Sequence, residues 1–297
     1  MESPLKERIL IFDLIRILAI SMVVVQHTAG FFNLSWLTAT YGPLGKISAI
    51  TGLGGNLGNM GVELFIILSG MVIEYRYGKQ LRDGFSNFTY GGFIAKRIAH
   101  LYPAYWLSLI LAIILFPANL AIGIVEIIKT FSGFWIFQTY GSGVTDISQP
   151  INIMGWFIGL MVVLYLIWPL LSYLTSDYKY GILAIFIVSV AARVITLWLF
   201  PYGNEWYWFP LSRMAEFALG IWLVQEGWYW KRKSTSRVIA YLSDLSFPVF
   251  LVHYLLLGLA ETNIILYAVV VLITAATTMH LNNWIGDWIM KKGSVTT

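Results

Sequence analysis

Eight ionisable side chains sit inside stretches of sequence that are otherwise apolar: Asp13, Arg16, His27, Glu63, Arg193, Arg213, Glu216 and His253. A charge in hydrocarbon is costly unless it faces a partner or water, so such residues mark function or tight helix association. His27 follows Arg16 by eleven positions, three helical turns plus about 20°, which sets the two on one face about 16 Å apart. Asp13 lies three residues before Arg16 on that face, close enough to pair with it. Arg16 is therefore near one end of a helix and His27 near the other. The helix therefore carries a polar stripe. It suits a structural ion pair with a histidine hydrogen-bonded to a neighbouring helix.

Other candidates follow along the chain. Glu63, within Gly61-Val62-Glu63-Leu64-Phe65, falls at a depth similar to that of His27. A histidine and a carboxylate at matched depth can act as a base and its orienting group; a buried, hydrogen-bonded Glu fits as well. Arg97 and His100, three apart beside Lys96, open a helix and suit phosphate, although snorkelling basic residues are common there. Arg213 and Glu216 are also three apart and can pair, either structurally or against a substrate. His253 shares a face with Ser246 and fits a hydrogen bond inside the bundle. Arg193 has no partner in its own stretch. Trp206, Tyr207 and Trp208 can stack on sugar or belong to an interfacial belt.

The elements that carry these residues are long and apolar. Of 297 residues, 58% are hydrophobic and only 11% charged, about half the charged fraction of a soluble domain. Runs of about 20 apolar residues, the length of a membrane crossing, fall at 10–31, 58–75, 97–117, 154–174, 181–200, 208–226, 242–260 and 263–284. A ninth run, 119–138, carries Glu126 and Lys129 and either spans or lies along the interface. The stretch from Ile9 to Gly30 is too long for the apolar part of a cleavable signal and contains two charges. The expected fold class is all-α, a single-domain polytopic bundle of 8–10 spanning helices. If 119–138 does not cross and the N-terminus is cytoplasmic, nearly all Lys and Arg in loops face the cytoplasm and only Lys46 and Lys129 lie outside. The positive-inside rule then sets both termini inside. With no cysteine, disulfides and thiolate metal sites are excluded, and no metal site is expected. No P-loop, dinucleotide fingerprint or Gly-x-Ser-x-Gly motif occurs, and the net charge of +4 reflects topology rather than nucleic acid.

The order of motifs resembles the membrane acyltransferase-3 family, which includes acetylases of bacterial surface polysaccharides. Asp13-Leu14-Ile15-Arg16 ending at His27 is similar to its first-helix motif. Gly61-Val62-Glu63-Leu64-Phe65 with Leu68-Ser69-Gly70 is similar to the second, and Phe93, Lys96, Arg97, Tyr102 and Pro103 to the third. Trp156, Leu164-Tyr165 and Pro169 correspond to a later helix, Ser212-Arg213, Glu216-Phe217 and Gly220 to another, and Ser246-Phe247-Pro248 with His253 to the eighth. Two departures stand out. His100 occupies the place of a second arginine in the third motif, and Met161 and Val162 stand where many members are acidic.

The resemblance implies transfer of an acyl group, usually acetyl, from cytoplasmic acyl-coenzyme A to a carbohydrate hydroxyl. Acyl-CoA would be a co-substrate, with no tightly bound cofactor. The implied donor-binding residues are Arg16, Arg97, His100 and Lys96. His27 would be the general base or carry the acyl group, Glu63 would orient it, and Asp13 would fix Arg16. Ser69, Trp156, Tyr165, Arg213, Glu216 and His253 would bind acceptor or support the site. Expected partners are acyl-CoA, a carbohydrate or lipid-linked glycan, membrane lipids and a second copy as a homodimer; the location is the plasma or inner membrane. Buried charges with both termini inside also suit a transporter or flippase, or a non-catalytic scaffold, although the two related halves common in transporters are not visible.

Overall fold

The computed structural model describes residues 8–32, 56–83, 88–117, 124–134, 151–200, 205–233 and 236–293. Among them the chain is helical, and the only extended pairing is a single bridge between Ile9 and Lys233. The helices are α1 (Leu10–Thr28), α2 (Leu57–Arg82), α3 (Tyr90–Leu115), α4 (Ile124–Ser132), α5 (Trp156–Asp177) and α6 (Gly181–Leu199). They continue with α7 (Glu205–Trp208), α8 (Met214–Gln225), α9 (Arg237–Val252), α10 (Gly258–Thr262) and α11 (Ile264–Gly293). One main apolar core among the described residues draws side chains from α1 through α11.

Among the described residues, six helices are long and apolar enough to cross a membrane: Leu10–Phe31, Leu57–Arg82, Tyr90–Leu115, Ile153–Asp177, Gly181–Leu199 and Ile264–Gly286. The all-α polytopic bundle is thus what the chain forms. Two of the expected crossings are built differently. Run 208–226 starts with a 3-10 turn, Pro210–Arg213, and continues as the twelve-residue α8, about 18 Å long at 1.5 Å per residue. Run 242–260 breaks after the sixteen-residue α9, turns through 253–257 and resumes as α10. The described part of run 119–138 is the nine-residue α4, with Ile124 and Ile128 exposed. It is too short to span alone. Lys6 and Lys46, both used to orient the chain, lie outside the described residues.

The helices fold locally for ordinary reasons. Asn56 caps α2 by accepting from Asn59 N–H at 2.9 Å, and Ser236 caps α9 by accepting from Ile239 N–H at 3.3 Å. Pro103, Pro169 and Pro248 sit inside α3, α5 and α9, each removing one intrahelical hydrogen bond. Beside Pro103, the Ala104 N–H donates to Asn282 Oδ1 of α11 at 2.9 Å. Such external partners let a bundle tolerate internal prolines.

α2 is the central packing element, lying against α1 on one side and α8 on the other. The α2–α8 crossing is closed by two glycines. A Cβ on Gly70 would collide with the Phe217 carbonyl, and one on Gly220 with the Ile67 carbonyl. Small residues at a crossing let backbones touch, which is how membrane helices gain packing energy without a hydrophobic driving force. The obstacle at each glycine is backbone, so relief requires the helices to separate. Gly70→Val is expected to destabilise the bundle by at least the 1–3 kcal/mol typical of overpacking. Thermal unfolding and monodispersity in detergent check this; wild-type behaviour would show that the crossing is looser than described.

Candidate active site

A cavity of about 610 Å³ lies between α1, α2, α3, α5, α9 and α11. Five permanent cations line it, Arg8, Arg16, Arg76, Lys96 and Arg97, against two carboxylates, Asp13 and Asp244, with His100 on the same wall. Both carboxylates are already engaged. Asp13 is 1% exposed; it accepts from Arg8 at 2.6 and 3.1 Å, Arg16 at 3.2 Å and Ser243 Oγ at 2.8 Å. Asp244 accepts from Arg8 Nη1 at 2.9 and 3.0 Å. Burial disfavours the Arg8 cation, but its bonds to Asp13 and Asp244 outweigh this and hold its pKa above the ordinary value.

The remaining cations are left for something else. Among the described residues no carboxylate lies within 4.0 Å of Arg76, Lys96 or Arg97. Arg97 is positioned by aromatic contacts: its Nη2 donates to Tyr77 Oη at 3.3 Å, and its guanidinium lies 5.6 Å from the Tyr77 ring and 5.9 Å from Phe93. Its buried Nε has no protein partner. The cavity gathers the expected Arg16, Lys96, Arg97 and His100 with Ser69 and Tyr165, whose hydroxyls meet at 3.0 Å.

His27 and Glu63 do not pair as expected; the structure gives each another partner. His27, in the last turn of α1, lies beside His253, with His253 Nε2 3.1 Å from His27 Nδ1. Backbone carbonyls fix the protonation pattern, since a carbonyl only accepts. His27 Nδ1 is 3.0 Å from Val23 O, so it carries a proton. His253 Nδ1 is 3.1 Å from Val249 O and 2.9 Å from Phe250 O, so it too carries one. His253 Nε2 then accepts from His27, and in the neutral His27 ring the lone pair lies on Nε2. That atom can take a proton or attack a carbonyl.

Neither histidine lines the cavity. Phe65, Phe157 and Phe250 do, with ring centroids 5.1 to 6.4 Å apart, and Phe250 lies 6.1 Å from His253. The aromatic trio thus stands between the cationic cavity and the histidine pair. Ser246 lines the cavity and donates to Ser243 O at 2.6 Å, so the face it shares with His253 links the two regions.

Glu63 belongs to a separate buried ionic cluster. Its Oε1 is 4.0 Å from Arg213 Nη1. Glu216 Oε1 accepts from Arg213 at 2.9 Å and from Arg193 at 2.6 Å, which supplies the partner that Arg193 lacks in sequence. The two guanidiniums are each 1% exposed. Arg213 lies 4.7 Å from the Tyr207 ring, which is 5.1 Å from Trp156; the Trp206 side chain is outside the described set. Residues missed in sequence include Arg8, just before α1, Arg76 and Tyr77 in the last two turns of α2, and Ser243 and Asp244 in the middle of α9. Glu74 was missed as well. It is 2% exposed and tied to Arg82, to Trp168 Nε1 at 3.0 Å and to Gln225 Nε2 at 3.1 Å.

The described residues thus form a helical bundle with a cation-lined cavity, one of whose lining rings, Phe250, touches a buried histidine pair. The acyltransferase-3 family model, described as an acyltransferase domain, matches residues 9–237, and the chain belongs to that family. It is a multi-pass helical membrane protein. The match ends ahead of the part of α9 that leads to His253. The chain is also 36% identical over 110 residues to "Protein 2 in picA locus" of Rhizobium radiobacter; these are 37% of this chain and 46% of that protein, so the match spans less than half of the relative. No solved structure matches the chain.

The ionic cluster can be separated from the cavity experimentally. Glu216→Ala leaves Arg193 and Arg213 buried without their shared carboxylate, a loss of about 3–5 kcal/mol for a broken buried pair. The expected result is a lower unfolding temperature and yield, with anion binding at the cavity unchanged in the protein that remains. Normal stability with altered ligand binding would instead place Glu216 at a substrate.

Proposed function

We propose that this membrane acyltransferase moves an acyl group, acetyl in the first instance, from cytoplasmic acyl-coenzyme A to a hydroxyl of a carbohydrate or lipid-linked glycan. The observation that carries this reading is the set of carboxylate-free cations, Arg76, Lys96 and Arg97, on one cavity wall with His100 and Arg16. Three unpaired cations in a bundle suit a ligand with several phosphates, because charge-assisted bonds to phosphate are strong and an arginine fork matches them well. Asp13 holds Arg16 in place through its 3.2 Å pair. The cavity end of the bundle faces the cytoplasm and both termini lie on that side of the plasma or inner membrane, following the loop charges.

The donor's phosphates sit among the cations, and its thioester end reaches past Phe65, Phe157 and Phe250 toward His27. His27 Nε2 takes the proton of the acceptor hydroxyl as its oxygen attacks the thioester carbonyl. The tetrahedral intermediate collapses, the carbon–sulfur bond breaks, and the coenzyme A thiolate recovers the proton from His27. The free lone pair also permits a two-step route, in which Nε2 attacks first and acyl-His27 then meets the acceptor. Trapping an acyl-His27 adduct distinguishes this route from direct transfer.

Saturable binding of acetyl-CoA to purified protein in nanodiscs is expected, weakening as salt rises. Arg97→Ala should reduce affinity by roughly tenfold to a hundredfold, the 1.5–3 kcal/mol of a hydrogen bond to a charged group. His27→Ala should bind normally and lose transfer. Failure of folded wild-type protein to bind acetyl- or longer acyl-CoA would overturn this donor assignment, and substrate movement without chemical change would favour a transporter.

A further inference from the structure

We infer that His253 is the positioning residue of His27: it accepts the His27 Nδ1 proton and so keeps the reactive lone pair on His27 Nε2. The inference rests on the acyl-transfer reading above. It gives His253 the orienting role that sequence depth alone suggested for Glu63.

Three observations carry it. The rings meet at Nε2–Nδ1, 3.1 Å apart, and backbone carbonyls on both sides leave only one arrangement of protons. The second is that His253 is itself held. It is 0% exposed, its Nδ1 faces Val249 O and Phe250 O, and its own carbonyl accepts from Tyr267 Oη at 3.3 Å. Two residues earlier, Leu251 O accepts from Asn152 Nδ2 at 3.0 Å. The end of α9 is thereby tied to α11 and to the start of α5. Third, the helix stops here, and the chain turns through 253–257 instead of continuing. A histidine at that break can point its Nε2 across to α1.

During transfer, His27 Nε2 gains the hydroxyl proton while its Nδ1 proton stays shared between Val23 O and His253 Nε2. The charge that appears on His27 is then met by the lone pair of a neutral ring already in place, which is the preorganised stabilisation that lowers a barrier. The proton leaves again to the thiolate, so both rings return to their starting forms. His253 touches neither substrate nor donor in this scheme and acts only through His27.

The test has a structural arm and a kinetic arm. The chain has four histidines, so ¹⁵N-histidine labelling in nanodiscs gives few ring signals. In wild type, His27 and His253 should both be protonated at Nδ1, with a scalar coupling across the Nδ1–H···Nε2 bond that disappears in His253→Leu. Either ring protonated at Nε2, or no coupling, overturns the inference. In the kinetic arm, His253→Leu should lower kcat at least about tenfold, part of the roughly 10²–10⁴-fold that general-base catalysis supplies, with donor KM unchanged. His253→Gln, whose side-chain oxygen can accept the same bond, should recover much of that loss. Full kcat in the leucine variant, or equal losses in folded Leu and Gln variants, overturns it. Wild-type protein that shows the coupled rings but transfers no acyl group to any acceptor sinks the acyl-transfer reading instead.

Discussion

A charged side chain inside a helix bundle has to be paired or reached by water, and this single constraint sorts nearly every polar residue of the chain. Asp13, Glu74 and Glu216 are buried, and each is surrounded by donors from other helices. These pairs fasten α1 to α9, α2 to α5 and α8, and α6 to α8. Because the acids are used in this way, the basic residues divide into two sets. Arg8, Arg193 and Arg213 are neutralised by protein. Arg76, Lys96 and Arg97 have no carboxylate partner among the described residues; Arg76 and Lys96 are exposed, and all three line the cavity.

Packing then fixes where that charge can act. The glycine contact between α2 and α8 draws these helices together, and α1 and α5 close on either side. The cavity beside them has basic residues such as Arg97 and the aromatic residues Phe65, Phe157 and Phe250 in its lining. The proposed donor, with anionic and apolar ends, would meet both environments. His27 lies outside that lining, joined to it by the Phe250–His253 contact. In the proposed reaction, these rings would separate the reacting centre from the anion-binding end, and excluding water there would strengthen the local electrostatics.

Much of this was legible in the sequence where the signal is local. Asp13 and Arg16 are three residues apart on one helix, and so are Arg213 and Glu216; both pairs form as their spacing requires. The all-α bundle follows from apolar runs of membrane length. The number of full crossings did not follow, since mean hydropathy cannot distinguish a straight helix from the 3-10 start at Pro210 or the break after Val252. Pairings across the chain left no local trace: Arg8 meets Asp244 and His27 meets His253 over more than two hundred residues. Glu63 shows the limit most clearly. Its depth was placed near that of His27, but depth says nothing about which face of α2 it occupies, and it turns toward α8 and Arg213.

A neutral histidine beside His27, rather than a carboxylate, suits this location. A carboxylate at that depth would bring a permanent charge into a region with no cation to spare, since Arg213 and Arg193 are held by Glu216 and Glu63. It would have to be desolvated at a cost of several kcal/mol whether or not substrate is present. A histidine accepts the same hydrogen bond and leaves the resting pair uncharged. In the proposed reaction, charge would arise only as an acceptor hydroxyl gives up its proton, the moment at which stabilisation accelerates a reaction rather than merely holding the protein together.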